Sequence, residues 1–425
     1  MIMKGFKKTE IGLLPEDWEV KCIEDVCSVK AGGNAPQGNQ YFENGEYPFV
    51  RVQHFDGDKE YVDRWDLINR KAIEKNSLKL FPKDAIVFPK SGACIRLEKR
   101  AKLPKEMYVV SHLCVLIPNE VENNYLFYLM KKMKLGLSPN GSTLPFLNTS
   151  AIAKIKIALP SIDEQKNISG ILSKIQLAIE KQEKILRNTV ELKKTLMHKL
   201  FTEGFYTETQ KSTIIGKIPK SWEVVELKET GDVIYGIQAA VANLTKPVGT
   251  KILTNVNIAL DGQIDLTKLR YFPLTTERHF RTLLKKGDIL FNWRSGSKEH
   301  VGKTALFELD GEYTHASFIL RIRTNEKINN IFLFYYLTYL RMSGYFIKKQ
   351  NYAVNAKFNA SAVNVLPTVV PSLKEQLEIV KVIKAIDDKI EIIKRKKVIS
   401  KALFSVMLHK LMTGQIRVKD LKIAS

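Results

Sequence analysis

The stretch TEIGLLPEDWEV, Thr9 to Val20, returns 204 residues later as TIIGKIPKSWEV, Thr213 to Val224, with seven of twelve positions identical. A second pair of landmarks follows at the far end of each copy. LPSIDEQ, Leu159 to Gln165, is answered by VPSLKEQ, Val370 to Gln376, at an offset of 211. That register holds through HKLFT (His198 to Thr202) and HKLMT (His409 to Thr413). The 425-residue chain is therefore a tandem duplication, with seven more residues between the landmarks of the second copy.

Between the landmarks the copies diverge and only short echoes survive. Asp84 to Phe88 before Ser91-Gly92 matches Asp288 to Phe291 before Ser295-Gly296. Ser111-His112 matches Thr314-His315, and Tyr125 to Leu129 matches Phe332 to Leu337. Short apolar runs broken by Gly, Pro and Asn predict strands, with one buried aromatic helix per copy. Each diverged half reads as a compact unit of about 160 residues, an ordinary domain size.

Something different begins at Pro160-Ser161 and at Pro371-Ser372. Ser161 with Glu164, and Ser372 with Glu375, have the spacing of a capping box. Each is followed by some forty residues without proline. In the first run Ile168, Ile175 and Leu196 share one heptad row, and Leu172, Ile179 and Leu186 share a second. Gln182 and Thr189 occupy polar places in that seam. In the second run Ile379, Ile386 and Ile393 form one row, Ile383 and Ile390 the other. Such sustained heptads predict coiled-coil helices, each about 60 Å long at 1.5 Å per residue. A helix of that kind needs a partner for its seam, and antiparallel pairing within the chain supplies one. The expected fold is α+β: α/β-type globular domains at 1–160 and 206–371, a central helix at 161–205, and a closing helix and tail at 372–425. The two helices are expected to pack as an antiparallel coiled coil with pseudo-two-fold symmetry.

Sixty-seven Lys and Arg against forty-five Asp and Glu leave a net charge of +22 and a pI near 9.6, which points to a polyanionic partner. The first residues lack the apolar core of a signal peptide. The strongest apolar run, Ile331 to Leu340, is too short to span a bilayer. The four cysteines, Cys22, Cys27, Cys94 and Cys114, form no CxxC pair and read as reduced thiols, so a cytoplasmic protein without membrane attachment is expected. Catalytic signatures are missing. Gly296 to Thr304 imitates a phosphate loop, but five residues separate its glycines where four are needed. No Asn/Asp-Pro-Pro-aromatic tetrad and no zinc spacing occurs, so no catalytic and no metal-binding residue is assigned. His112 and His315 read as structural.

The order of landmarks resembles the specificity subunits of type I restriction–modification enzymes: a diverged half, a P-S-x-x-E-Q helix, a second diverged half, a second such helix. The entry signature I-G-x-x-P-x-x-W-E-V, at Ile11 to Val20 and Ile215 to Val224, is also typical of that family. The resemblance implies a non-catalytic DNA-recognition chain with two target recognition domains, each reading half of a split site in double-stranded DNA. It implies helices that set the half-site spacing and hold two methylation subunits, with restriction subunits as further partners. The chain itself would hold no cofactor; S-adenosylmethionine, ATP and Mg would be bound by those partners. The competing reading is an orphan DNA-binding or coiled-coil scaffold protein without a methyltransferase.

For the DNA-facing loops, Gly-flanked segments rich in cations and amides are the candidates. In the first domain these are Lys90, Ser91, Arg96, Lys99 and Arg100, with Asn140, Ser142 and Thr143. In the second they are Trp293, Arg294, Ser295, Lys298 and Lys303, with Gln350, Asn351, Tyr352, Asn355 and Lys357. The run Lys394 to Lys397 could neutralise phosphate beside the spacer, or be a solvated helix face.

Overall fold

The computed structural model describes residues 5–420 apart from 55–58, 92–94, 97, 136–145, 207, 240, 242–243, 245, 296 and 352–357. The chain divides into two compact units, residues 1–185 with 393–425, and residues 186–392. Each unit contains one diverged half together with part of each long helix, a grouping that cuts across the four consecutive segments expected from the sequence.

In the first copy a hairpin, β1 (Phe6–Thr9) and β2 (Gly12–Pro15), leads into β3 (Glu19–Cys22), a turn of helix α1 (Ile23–Val26) and β4 (Cys27–Ala31). Then come β5 (Tyr47–Val50), β6 (Asp66–Ile68), α2 (Arg70–Lys75), β7 (Leu80–Phe81), β8 (Ile86–Pro89), β9 (Ala101–Lys102), β10 (Met107–Val109) and β11 (Leu113–Pro118). The half closes with α3 (Asn123–Lys132), α4 (Thr149–Ala153) and β12 (Lys156–Leu159), from which α5 (Ile162–Glu203) departs. The central sheet runs β4-β11-β8-β9, all antiparallel. A second sheet, β6-β5-β10-β7, contains one parallel pair, β5 with β10. β12 returns to pair with β3, so the ends of the domain are tied together.

The second copy repeats this plan. The hairpin is β13 (Gln210–Thr213) and β14 (Gly216–Pro219), followed by β15 (Glu223–Glu226), β16 (Gly231–Tyr235), β17 (Thr250–Leu253), β18 (Arg270–Phe272) and α6 (Glu277–Phe280). β19 (Ile289–Asn292), β20 (Thr304–Leu306), β21 (Tyr313–His315) and β22 (Ile319–Thr324) precede α7 (Asn330–Met342), α8 (Tyr345–Asn351), α9 (Ala360–Asn364) and β23 (Pro367–Val370). The last helix is α10 (Leu373–Met412). Its central sheet is β16-β22-β19-β20, its second sheet β18-β17-β21, again with one parallel pair, and β23 closes on β15. The aromatic helices α3 and α7 lie in the cores, with Tyr125, Phe127 and Tyr128, and Phe332, Tyr335 and Tyr336, buried.

The duplicated landmarks bond to each other, which explains why they occur together. Trp18 is fully buried and its Nε1–H donates to Glu164 Oε2 at 3.1 Å; Trp222 does the same to Glu375 Oε2 at 2.9 Å. The adjacent glutamines tie the aromatic helices to the long ones. Gln165 Oε1 accepts from Glu122 N–H at 2.9 Å, and Gln376 Oε1 accepts from Asn329 N–H at 2.7 Å; both donors are the N-cap residues of α3 and α7. The expected capping boxes are thus only half present. The serine hydroxyls accept from Glu164 N–H (3.4 Å) and Glu375 N–H (3.3 Å), while the glutamate carboxylates turn to the tryptophans. A carboxylate bonded to a buried indole N–H satisfies a donor that would otherwise be stranded away from water.

The long helices pair antiparallel within each unit. In the first, Gln182 donates to Ser400 Oγ (3.2 Å), Lys397 pairs with Glu183 (2.9 Å), and Arg417, just past α10, grips Glu164 near the start of α5 at 2.6 and 2.8 Å. Arg417 also forks onto Asp17 at 2.9 and 2.6 Å, and its guanidinium holds the Asp17 carboxyl below the usual range. In the second unit Lys193 pairs with Asp387 (2.5 Å), and Phe205 N–H, just past α5, donates to Glu375 Oε1 (2.8 Å). The seam residues Ile168, Leu172 and Ile179, and Ile379, Ile383, Ile390 and Ile393, are buried. Thr189 is buried among them as a polar seam residue, whereas Ile175, Leu186, Leu196 and Ile386 are only half-buried. No helix among the described residues is long and apolar enough to cross a membrane.

Candidate nucleic-acid interface

Three segments converge at one end of each central sheet: the chain leaving its first strand, the end of its third, and the turn joining the second sheet to it. In the first copy Gly33 N–H donates to Val109 O (2.8 Å), Ser111 N–H to Gly33 O (2.6 Å), and Lys90 N–H to His112 O (2.9 Å). In the second, Ile237 N–H donates to His315 O (2.8 Å) and Trp293 N–H to Phe318 O (3.2 Å). These bonds fix the correspondence between the copies: Lys90 matches Trp293, Val109 matches His315, and His112 matches Phe318. The match of Ser111-His112 with Thr314-His315 inferred from the sequence is therefore out of register. The hydrogen-bond ladder shows the register directly, where two short echoes of local composition do not.

In the first copy Ser91 Oγ lies 2.7 Å from His112 Nδ1; Lys90, expected to face DNA, is only 9% exposed, its ammonium 4.6 Å over the ring of Phe146. Arg96 is exposed and Lys99 half-buried. Arg100 needs correction as a DNA contact. It is only 2% exposed, bonds Glu98 at 2.5 Å and lies over Phe88, and burial pushes its pKa down. A cation so enclosed ties its own loop to the core. Asn140, Ser142 and Thr143 lie outside the described residues.

In the second copy Trp293 donates its Nε1–H to Ser317 O at 2.7 Å, with Tyr235 edge-on at 5.6 Å and Phe318 at 6.5 Å. The exposed Arg294 places its guanidinium 5.2 Å over Phe318. Ser295 is half-buried and accepts from Ser297 N–H. Lys303 is the second correction: 6% exposed, it donates to the carbonyls of Asn255 (2.9 Å) and Ile258 (2.6 Å). Burial, with Arg341 nearby, lowers its pKa. The lysine of the imitation phosphate loop thus staples two backbone segments. Lys298 lies in a 3-10 turn and Gln350 and Asn351 end α8, their side chains outside the described set; Tyr352, Asn355 and Lys357 lie outside it altogether. In the run Lys394 to Lys397, Lys397 is taken by Glu183 while Arg395 and Lys396 are exposed.

One feature of this sheet end escaped the sequence reading. Beside Tyr235 a cleft of about 550 Å³ is lined by Gln238, Arg278, His279, Arg281 and Thr282. Arg278 and Arg281 belong to α6 and the residue after it, which precede the glycine-flanked loop at Trp293 with β19 between them. The available signal was the helix start itself, where Thr276 caps α6 by accepting from His279 N–H at 3.2 Å. Arg281 pairs with Glu277 at 2.9 Å, so the exposed Arg278 guanidinium, the Gln238 amide and the Tyr235 ring are the groups that suit a phosphate with an adjoining base edge. His315 behind the cleft is fully buried, and burial, together with Arg321, pushes its pKa down to about 4, so it serves as a neutral packing element. Among the described residues no group of His, Cys, Asp or Glu is arranged to hold a metal ion.

Comparison with known proteins agrees with this geometry. The family described as type I restriction modification DNA specificity domain matches twice, over residues 15–188 and 219–399. The chain is 30% identical to the putative type I restriction enzyme MjaX specificity subunit of Methanocaldococcus jannaschii, over 98% of this chain and 97% of that one. It is also 30% identical to the MjaVIII specificity subunit of the same organism, with the same coverages. Among solved structures, a chain from a study of complex assembly and conformational transition of the type I R-M system superposes with a TM-score of 0.59 at 17% identity, covering 95% of this chain and 99% of that one. The type I S subunit from M. genitalium superposes with a TM-score of 0.56 at 15% identity, over 93% and 96%. With two copies of the specificity domain and a full-length match to its relatives, this chain belongs to the family of type I restriction–modification DNA specificity subunits.

Proposed function

We propose that the chain reads a split, asymmetric site in double-stranded DNA, one half-site per recognition domain, without catalytic activity of its own. The observation that carries this is the sheet end: one backbone frame appears twice with different side chains on it. Where the first copy has Ala31, Lys90 and His112, the second has Tyr235, Trp293 and Phe318. Equal frames with unlike surfaces read unlike sequences, and two readers joined in one chain address a bipartite target. The net charge of +22 supports a phosphate-backbone contribution to binding.

The long helices act as the ruler between half-sites and as the seat of two methylation subunits, with restriction subunits joining them. S-adenosylmethionine, ATP and Mg belong to those partners, and the assembly works in the cytoplasm. Replacing residues 206–371 by the matching domain of a relative tests the reading. One half of the methylated motif should change and the other persist; a change in both halves contradicts independent reading.

A further inference from the structure

The same two turns of chain hold a side chain that neither the landmarks nor the loop candidates pick out. After β4 and after β16 the backbone is pressed against the second sheet. A Cβ on Gly32 would lie 2.2 Å from Val109 O and 2.3 Å from Val110 O; on Gly236 it would lie 2.2 Å from His315 O and 2.5 Å from Ala316 O. Only glycine fits either place. The next residue bridges in parallel to the same strand end, Gly33 to Val110 and Ile237 to Ala316. The residue after that is therefore delivered to one fixed position in both domains, and in both it is an exposed carboxamide: Asn34 and Gln238.

Cations line the cleft beside the second of these amides. In the second domain Gln238 lines the cleft that Arg278 and Arg281 also line, and its Nε2 donates to Gly236 O at 3.0 Å, which orients the amide. In the first domain the end of α2 adjoins the same turn: a Cβ on Gly33 would meet the Leu78 side chain at 2.6 Å and Asn76 O at 3.7 Å. The exposed cations Arg70 and Lys71 stand in the first turn of α2, at its other end, and Arg70 pairs with Glu74 at 3.0 Å. In the second domain an amide on a pinned backbone, with guanidinium groups from the adjoining short helix, combines a base reader with a phosphate anchor.

We propose that Asn34 and Gln238 are equivalent specificity-determining residues, one per half-site, each pairing its carboxamide with the N6 and N7 edge of an adenine in the major groove. In the second domain Arg278, with Arg281 beside it, holds the flanking phosphate. The inference rests on the proposed reading of split DNA and names where on each domain the reading occurs.

The test uses the full chain in complex with its methylation subunits, with methylated motifs mapped across a genome and binding measured against salt. Asn34→Ala should relax one A·T position in one half-site and Gln238→Ala one A·T position in the other, each with a loss of discrimination of roughly 10- to 100-fold. Gln238→Asn, which keeps the amide one methylene short, should weaken the same position. Arg278→Ala should lower affinity for all sequences and reduce the salt slope by about 1. Unchanged motifs in both alanine variants, or relaxation only at G·C positions, would overturn the proposal while leaving DNA reading intact. A wild-type complex with no methylated motif and no DNA binding would remove the underlying reading, and this inference with it.

Discussion

Removing the Glu375 carboxylate should unfasten the second long helix from its domain at a cost that can be worked out bond by bond. Glu375 is 4% exposed and accepts two hydrogen bonds, from Trp222 Nε1–H at 2.9 Å and from Phe205 N–H at 2.8 Å. Glu375→Ala strands both donors, the Trp222 indole in the core and the part-buried Phe205 amide. Each stranded donor costs about 1–3 kcal/mol, so the variant should lose about 2–6 kcal/mol. Glu375→Gln keeps one acceptor oxygen and should lose about half as much. Trp222→Phe removes one donor, so in that background Glu375→Ala has less left to lose. The double-mutant cycle should return a coupling of at least about 1 kcal/mol. Urea titration of the wild type, both single variants and the double variant, followed by far-UV circular dichroism, measures it. Effects that add within about 0.5 kcal/mol would refute the claim that the two landmarks act as one fastening.

Three shorter predictions follow from other positions. His315 donates Nδ1–H to Thr282 O at 3.1 Å, its Nε2 is buried without a partner, and burial, with Arg321 beside it, pushes its pKa down to about 4. Its unfolded value is about 6.5. Between these pH values the unfolded chain takes a proton that the folded one refuses, so stability falls as pH drops from 6.5 to 4, by about 3 kcal/mol in total. His315→Gln should flatten that slope, read from urea midpoints across the pH range; an unaltered slope would contradict the assignment. Gly170, inside α5, has open space where a Cβ would go, so Gly170→Ala should stabilise by about 0.5–1 kcal/mol. Gly236→Ala, 2.2 Å from a carbonyl oxygen, should destabilise, with both visible as shifts in thermal midpoint. Lys303→Met should lower stability by breaking two carbonyl tethers while leaving the salt dependence of DNA binding unchanged. A flatter salt slope would return Lys303 to the phosphate contacts.

The parts of the fold legible in the sequence are those where one residue's chemistry demands another. Trp18 and Glu164 are 146 positions apart, yet one bonds the other, so both landmarks had to be duplicated together. The helix seams were legible because a heptad is a local pattern, although the half-burial of Ile175 and Ile386 depends on what packs over them. The diverged interior was legible only as strands and one aromatic helix. Register there is set by backbone bonds such as Lys90 N–H to His112 O, and these leave no mark on side-chain identity. The candidate site suffered for the same reason. Arg100 and Lys303 sit in glycine-rich loops like any exposed cation, and only the folded chain shows that one meets Glu98 and the other two carbonyls. Conversely, Arg278 and Arg281 reach the sheet end from a short helix without flanking glycines, so the loop criterion passes over them.

The central claim, two unlike readers in one chain, is tested most directly by purifying this chain with the methylation subunits proposed for it and mapping methylated positions in the host DNA. The account predicts one asymmetric motif in two parts, separated by a fixed gap of unspecified bases. A continuous or palindromic motif, or a complex that methylates nothing, would contradict it.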